Sequence, residues 1–445
     1  VRTKSFIKHE VYWPEPKNAR GINSYEDEWK AFIGPFQKAV DEKLFKALPY
    51  FIKGLNPRDR PRLLFDKLGR NRVMSTDFSS FEAHHIGEMA KVGVFWIMHM
   101  LRGVTFKSHF RRVLVRMFQG TNTSRFKHLT VSVAERLMSG AMWTSSANGV
   151  LNLLIMSFLN AKAKYPAASN EWLVENHELY FTGFVEGDDG ICLDNDIPDS
   201  LITDLGINLT WERHPNFGTA SFCGALCSLD DLVVIADPIK WLAKMTVAPP
   251  KYLHSSRNVK MSLVRALALS GLYQYRDCPV IGPICWSLCK RTSGFSIDRV
   301  TAEQDAWKRD LLVAANRRET WSTQPVVKPS VRDLVAEMFG VSVPDQLYLE
   351  SLFIDPDENG IECEISHLLS VQQLRHRLDF VYKRENDINF ANFFSSPLDP
   401  QHIVAQIMMN GKKPTVKHKP SLAIDRAYDQ PTRPIPLELL ETRPD

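Results

Sequence analysis

The sequence has no apolar run long enough to cross a bilayer. Its longest, Val94 to Leu101 and Val150 to Leu159, fall short of the roughly 18 residues that a span needs. Any membrane contact is therefore expected to be indirect, with an anchor outside this chain. Cysteine is sparse: seven residues, an odd number scattered over 445 positions, which argues against a disulfide framework and fits a reducing compartment. Two C-x3-C pairs, Cys223 with Cys227 and Cys285 with Cys289, lie in apolar segments without zinc-finger context, so core cysteines are preferred to a zinc site. An excess of one charge is nearly absent too, with 55 Lys and Arg against 51 Asp and Glu. Bulk charge thus gives no reason to expect nucleic acid, and any such surface must be a local basic patch.

Repeats, single-residue tracts, a Walker A loop and a G-x-S-x-G elbow are all lacking. "HE" occurs at His9 and His177, but Trp13 and Phe181 stand where a second zinc histidine belongs. The thirteen histidines form no ligand-spaced cluster. "DPDENGIECEIS" opens like a calcium loop at Asp355, Asp357, Asn359 and Gly360, yet its twelfth position is Ser366 where a bidentate Glu is needed. The first residue is Val1, with neither initiator methionine nor secretory pattern, so the chain is expected to be a piece of something longer.

What is present is an ordinary globular composition, 44% hydrophobic and 24% charged, over a length that supports two or three domains' worth of core. Residues 1–72 are basic and polar, and Pro14, Pro16, Pro35 and Pro57 predict short elements with no long helix. "NRVMSTDFSSFEAHH" reads as a strand running into Asp77, and "IGEMAKVGVFWIMHMLRG" as a helix. Leu129, Val131 and Val133 alternate with Thr130 and Ser132, the period of a half-buried strand. From Trp143 to about Lys164 the pattern predicts a long helix, although Gly149 inside it costs about 1 kcal/mol relative to alanine. Extended pieces follow at "LGINLTWE" and "ASFCGALCSLDDLVVIADP". Helical patterns dominate from Lys251 to about Ile403, and the Pro- and Lys-rich stretch after Gly411 reads as a tail.

One stretch poses a chemical question. "FTGFVEGDDGICLD" reads as two strands joined by a tight turn at Gly187 and Asp188, so Glu186, Asp188 and Asp189 crowd a hairpin tip. Like charges repel and burial disfavours ionised carboxyls, so something positive belongs there. A lone G-D-D is more often a solvated turn. Here, however, Asp77 also ends a strand, and two strands of one sheet could aim carboxylates at a shared point. Hard cations prefer oxygen ligands, and a pair of them can clamp the attacking and leaving oxygens of a phosphoryl transfer. "SGAMWTSSANG" adds a loop at Ser139 and Gly140, with Thr144 and Asn148 one helical turn apart on one face. Read alone, such residues at a helix start are more often caps.

Taken in order, Asp77 with an acid five residues on, S-G-x-x-x-T-x-x-x-N, and G-D-D resemble motifs A, B and C of RNA-dependent RNA polymerases from positive-strand RNA viruses. "FIKHEVYWPEPKNARGI" is similar to the basic motif F, with Lys8 and Glu10 as its K-x-E. "LGINLTWERHPNFG" resembles motif D, and "ASFCGAL" with "DPIKWLAK" resembles motif E. The resemblance runs from Lys4 to Lys244, and its texture, with "LALSGLYQYRDCP" beyond, looks nodavirus-like or tombusvirus-like.

The resemblance implies an α+β right-hand polymerase, with an antiparallel palm sheet, an α-helical thumb and a truncated N-terminus lacking the fingertip segments. Its parts would be a fingers portion with motif F over 1–72, a palm over 73–250 with a fingers insertion at about 86–135, a thumb over 251–403 and a tail over 404–445. Asp77, Asp188 and, more weakly, Asp189 would hold two Mg2+ or Mn2+ ions. Lys8, Lys17 and Arg20 would face the triphosphate. Asn148, with Glu82, Ser139, Gly140 and Thr144, would read the ribose; Glu82 replaces the Asp of most relatives and is one methylene longer. His214, where many relatives offer a lysine, would be the general acid for pyrophosphate, since Arg213 beside it stays protonated. Expected partners are RNA template and nascent RNA, NTPs and other replication proteins, in host cytoplasm at membrane-associated complexes. Two rival readings are a reverse transcriptase, whose hairpin usually carries an aromatic residue two places before the Asp pair where Glu186 stands, and a catalytically silent RNA-binding scaffold.

Overall fold

The computed structural model describes residues 1–8, 20–78, 80–105, 107–245, 255–304 and 306–354. Its strands, in chain order, are β1 (Arg2–Ile7), β2 (Gly21–Tyr25), β3 (Val73–Phe78), β4 (Thr121–Arg125), β5 (Thr130–Ala134), β6 (Gly183–Glu186), β7 (Asp189–Leu193), β8 (Leu209–His214), β9 (Leu226–Cys227) and β10 (Val234–Ile235). They form a four-stranded sheet in the order β2-β1-β4-β5, a second in the order β6-β7-β3-β8, and the small pair β10-β9. The second sheet is antiparallel throughout.

That second sheet is covered on both faces, and strand alternation sorts its side chains between two cores. Met74, Val185 and Cys192 join one core with the helix Thr144–Lys164. Val73, Phe184 and Ile191 join the other with Leu64 and Leu68 of the helix Arg60–Leu68, and with Phe217 and Phe222. Double burial suits the largely apolar β6 and β7, whereas β8, at the sheet edge, is buried at none of its positions. In β3 every residue except Asp77 is buried.

The first 72 residues depart from expectation. A helix spans Asp27–Ala47 with Pro35 inside it. Proline removes one helical hydrogen bond and crowds the preceding turn, but Ile33, Gln37, Val40 and Leu44 are all buried on one face. Their packing outweighs the local penalty, as tertiary context often does. β5 forms as expected but is not half-buried: Leu129 is 59% and Val131 37% exposed. It is the edge strand of its sheet, with β4 as its one neighbour.

Beyond Arg257 the described elements are helices: Arg257–Tyr275, Ile281–Arg291, Asp298–Ala302, Ala306–Ala315, Arg318–Trp321, Pro329–Phe339 and Val343–Ile354. They share one apolar core that includes Cys278, Cys285 and Cys289. Among the described residues no helix is long and apolar enough to cross a membrane. The calcium-like loop at Asp355 and the tail lie outside the described residues.

Candidate active site

The hairpin forms where the sequence places it. Glu186 pairs with Asp189 across β6 and β7, leaving Gly187 and Asp188 as the loop. Gly187 takes φ +65°, which a side chain would make costly. Register then decides which acids meet. Thr76 of β3 pairs with Gly190 of β7, so one step on Asp77 draws level with Asp189. Alternation turns Glu186, Asp189 and Asp77 to the same face, on three adjoining strands about 4.8 Å apart, while Asp188 is exposed at the tip.

This row of charge leaves an electrostatic trace. Burial, reinforced by Asp188, Glu186 and Asp77, pushes the Asp189 carboxyl up to about 7. Glu186 has a counter-ion that sequence reading missed: Arg60 Nη2 lies 3.0 Å from its Oε2. Cys223 Sγ donates to the same oxygen at 3.6 Å, from a tight turn in which Cys223 and Gly224 both have positive φ. Burial first, then Glu186 and Asp189, raise that thiol well above its ordinary value, so it stays a thiol. Among the described residues no cation pairs with Asp77, Asp188 or Asp189.

The helix Thr144–Lys164 supports the tip from the opposite face. Asn152, fully buried, directs its Nδ2 to the carbonyls of Gly187, Asp188 and Asp189 at 3.2, 3.1 and 3.0 Å. A Cβ on Gly149 would come within 2.7 Å of the Phe51 ring, so this glycine is the condition for close approach. At the helix start the Thr144 hydroxyl donates back into the loop, to Ala141 O at 2.9 Å and Met138 O at 3.1 Å. The loop itself is pinned: Asn23 N–H of β2 donates to Ser139 O at 2.6 Å. Gly140, at φ +95°, packs so close to Ile22 that a Cβ would clash at 2.7 Å. One turn along, Asn148 is buried and its Oδ1 lies 3.0 Å from His85 Nε2. Glu82, in the turn Phe81–His84, has no described bond to Asn148 or Ser139.

Other expected residues are placed elsewhere. His214 pairs with Val73, four residue steps from the level of Asp77, roughly 13 Å at the strand rise. There it meets Ser75 Oγ at 3.1 Å and Thr219 Oγ1 at 3.5 Å. Its backbone thus lies toward the start of β3, while its ring reaches Ser75, two residues from Asp77 on the same face of the strand. Lys8 and Arg20 meet just beyond the paired ends of β1 and β2, Lys8 N–H donating to Arg20 O at 2.8 Å; Lys17 lies outside the described residues. A cation not singled out from sequence is Lys53. Phe51 bridges Val185 in parallel, which brings Lys53 level with Gly187, and its Nζ donates to Ser145 Oγ.

The acid row suits a hard divalent ion in one specific sense. Among the described residues no three His, Cys, Asp or Glu side chains are gathered closely enough to hold a metal by themselves. Mg2+ in phosphoryl-transfer sites is commonly held by one or two carboxylates, with substrate phosphates and water completing its shell. Oxygen-only donors, mutual repulsion around Asp189 and the lack of a described counter-ion on Asp77 and Asp188 fit that partial cage.

No family model matches the chain, and no curated protein matches it. Among solved structures it is similar to the insertion-loop deletion mutant of the RNA-dependent RNA polymerase of a human picobirnavirus. That likeness has a TM-score of 0.50 at 13% identity and covers 72% of this chain and 62% of that one. A second structure, the RNA-dependent RNA polymerase of a human picobirnavirus, has a TM-score of 0.46 at 12% identity, covering 84% of this chain and 65% of that one. The chain thus spans under two thirds of the length of either. The first likeness establishes the class of fold, a mixed helix and sheet polymerase fold.

Proposed function

We propose that this chain carries the nucleotidyl-transfer centre of a viral RNA-dependent RNA polymerase, joining NTPs into RNA on an RNA template. The observation that carries this reading is the row Asp77–Asp189–Glu186 on adjoining strands beneath Asp188, left without a described counter-ion at its Asp77 end. A polymerase fold supports it. In this reading Asp77 and Asp188 hold two Mg2+ or Mn2+ ions, with Asp189 a weaker third ligand. Bound divalent ions supply charge stabilisation for the attacking 3'-oxygen and the departing pyrophosphate. Arg60 keeps Glu186 neutralised and out of the ligand set. Asn148 reads the ribose 2'-hydroxyl, the group that separates RNA from DNA precursors. Ser139, Gly140 and Thr144 hold the loop ahead of it, while Lys8, Lys17 and Arg20 neutralise triphosphate.

The sheet β6-β7-β3-β8 is then the palm, the helices after Arg257 the thumb, and the sheet β2-β1-β4-β5 with the helices between them the fingers. Motif texture supports reading the enzyme as nodavirus-like or tombusvirus-like, from a positive-strand virus, and in this reading it works at membrane-associated replication complexes in host cytoplasm.

The test is incorporation of labelled NTP on a defined RNA template with Mg2+ or Mn2+, with dNTPs in parallel. Incorporation of NTPs that stops on chelation is expected. A preference for dNTPs would make it a reverse transcriptase, and RNA binding without incorporation a scaffold; either outcome sinks the proposal.

A further inference from the structure

The pair His85–Asn148 is a contact at this site that no motif names. His85 follows the turn Phe81–His84 and is 1% exposed, its ring edge-on to Phe81 at 5.8 Å. Among the described residues it is the one hydrogen-bond partner of the Asn148 side chain, at 3.0 Å. Burial drives His85 down to about 4, so near neutrality the imidazole is uncharged and carries a single N–H. A carboxamide oxygen can only accept, so that hydrogen sits on Nε2. Nδ1 is then bare, and it is among the buried atoms with no partner. Leaving a buried nitrogen unpartnered does nothing for stability. What the arrangement does achieve is orientation: with Oδ1 held by the ring, the Asn148 amide must present its NH2 group away from His85.

We infer that His85 is a positioning residue, fixing the Asn148 carboxamide as a hydrogen-bond donor toward the ribose 2'-hydroxyl of an incoming NTP. The inference rests on the polymerase reading above and adds to it the group that sets ribose selection. In the aspartate-bearing relatives that resemblance implies, the acid of the first motif is expected beside this asparagine. Here Glu82 has no described bond to it, and His85, three residues on, does.

The experiment compares the ratio of kcat/KM for NTP over dNTP in the wild-type chain, His85→Phe, His85→Gln, Asn148→Ala and the His85→Phe/Asn148→Ala double variant. His85→Phe keeps the volume but removes the donor, and is expected to lower the ratio about tenfold while kcat on NTP stays within about threefold. His85→Gln, which restores an N–H near Nε2, should recover most of the preference. The double variant should discriminate no worse than Asn148→Ala alone, because the two residues act as one unit. A ratio unchanged in an active His85→Phe enzyme, or effects that simply multiply, would overturn the inference while leaving the polymerase reading intact. A wild-type chain that incorporates no NTP would end both. Should His85→Phe fail to fold, 15N spectra of histidine-labelled wild-type protein decide: the Nε2–H tautomer is expected, and an Nδ1–H tautomer overturns the orientation.

Discussion

Glu350 and Asp189 are both carboxylates withdrawn from water, and the chain treats them in opposite ways. In the helical region Glu350 is answered completely: Arg332 grips it at 2.8 and 2.9 Å, and Val280 N–H donates to it at 2.8 Å. That contact also secures Val280 at φ +65°, a costly conformation for a β-branched residue. At the hairpin tip, Asp189 has acids on three sides and the thiol of Cys223, and it rises to about 7. One region balances its charge internally, whereas in the other Asp77, Asp188 and Asp189 have no cation among the described residues. Arg332 answers Glu350 and Arg60 answers Glu186, and the contrast with Asp77 and Asp188 is what the proposed function turns on.

This contrast can be broken experimentally. The largest effect is expected from Asp188→Asn or Asp77→Asn: nucleotide incorporation should fall by about 10³-fold or more, with the thermal unfolding curve little changed. Arg332→Met should do the reverse, destabilising by about 3–5 kcal/mol because it strands a buried charge, as measured by urea denaturation. Replacing Glu350 by Leu in that background should recover much of the loss. Next, Asn152→Ala should cost about 1–3 kcal/mol by leaving the tip carbonyls unpaired, and should lower incorporation as the hairpin loosens.

The smallest effect sharpens the contrast through pH. Because burial and neighbouring acids push the folded Asp189 carboxyl up to about 7, its contribution to stability is expected to be lost as pH rises from about 4 to 7, where the unfolded chain ionises first. Asp189→Asn escapes that loss. Without divalent ions its Tm should exceed the wild type's by about 2–4 °C at pH 8, and the gap should close by pH 4. Mn2+ should raise the wild-type Tm at pH 8 more than that of the variant.

Much of the local structure was legible. The Gly187–Asp188 turn, the strand β3 that carries Asp77, the helix from Thr144 and the helices at "MSLVRALALSGLYQYR" and "VRDLVAEMF" follow from period and turn chemistry. The helix through Pro35 did not, because its stability comes from Ile33, Val40 and Leu44 packing against distant parts of the chain. At the site, Asn152 has a signal in the sequence: a second asparagine four residues after Asn148, flanked by Val150, Leu151, Leu153 and Leu154. His85 and Arg60 had none. His85 meets a partner 63 positions away, and Arg60 one still more remote in sequence. For His214 residue type and motif position were legible, but its placement opposite Val73 with its ring on Ser75 came only from the β3–β8 register.

By itself, then, the sequence determined the kinds of groups available and their local geometry: acids at strand ends, a two-residue turn, amides spaced along one helix face. Those follow from backbone stereochemistry and periods of 2 and 3.6, which act over a few residues. The tertiary structure alone decided that β7 lies between β6 and β3, that Asp77 draws level with Asp189, and that His85 rather than Glu82 bonds Asn148. Alternation says which side chains share a face within a strand; only pairing and register, fixed by burying both faces of the sheet, say which strands bring those faces together.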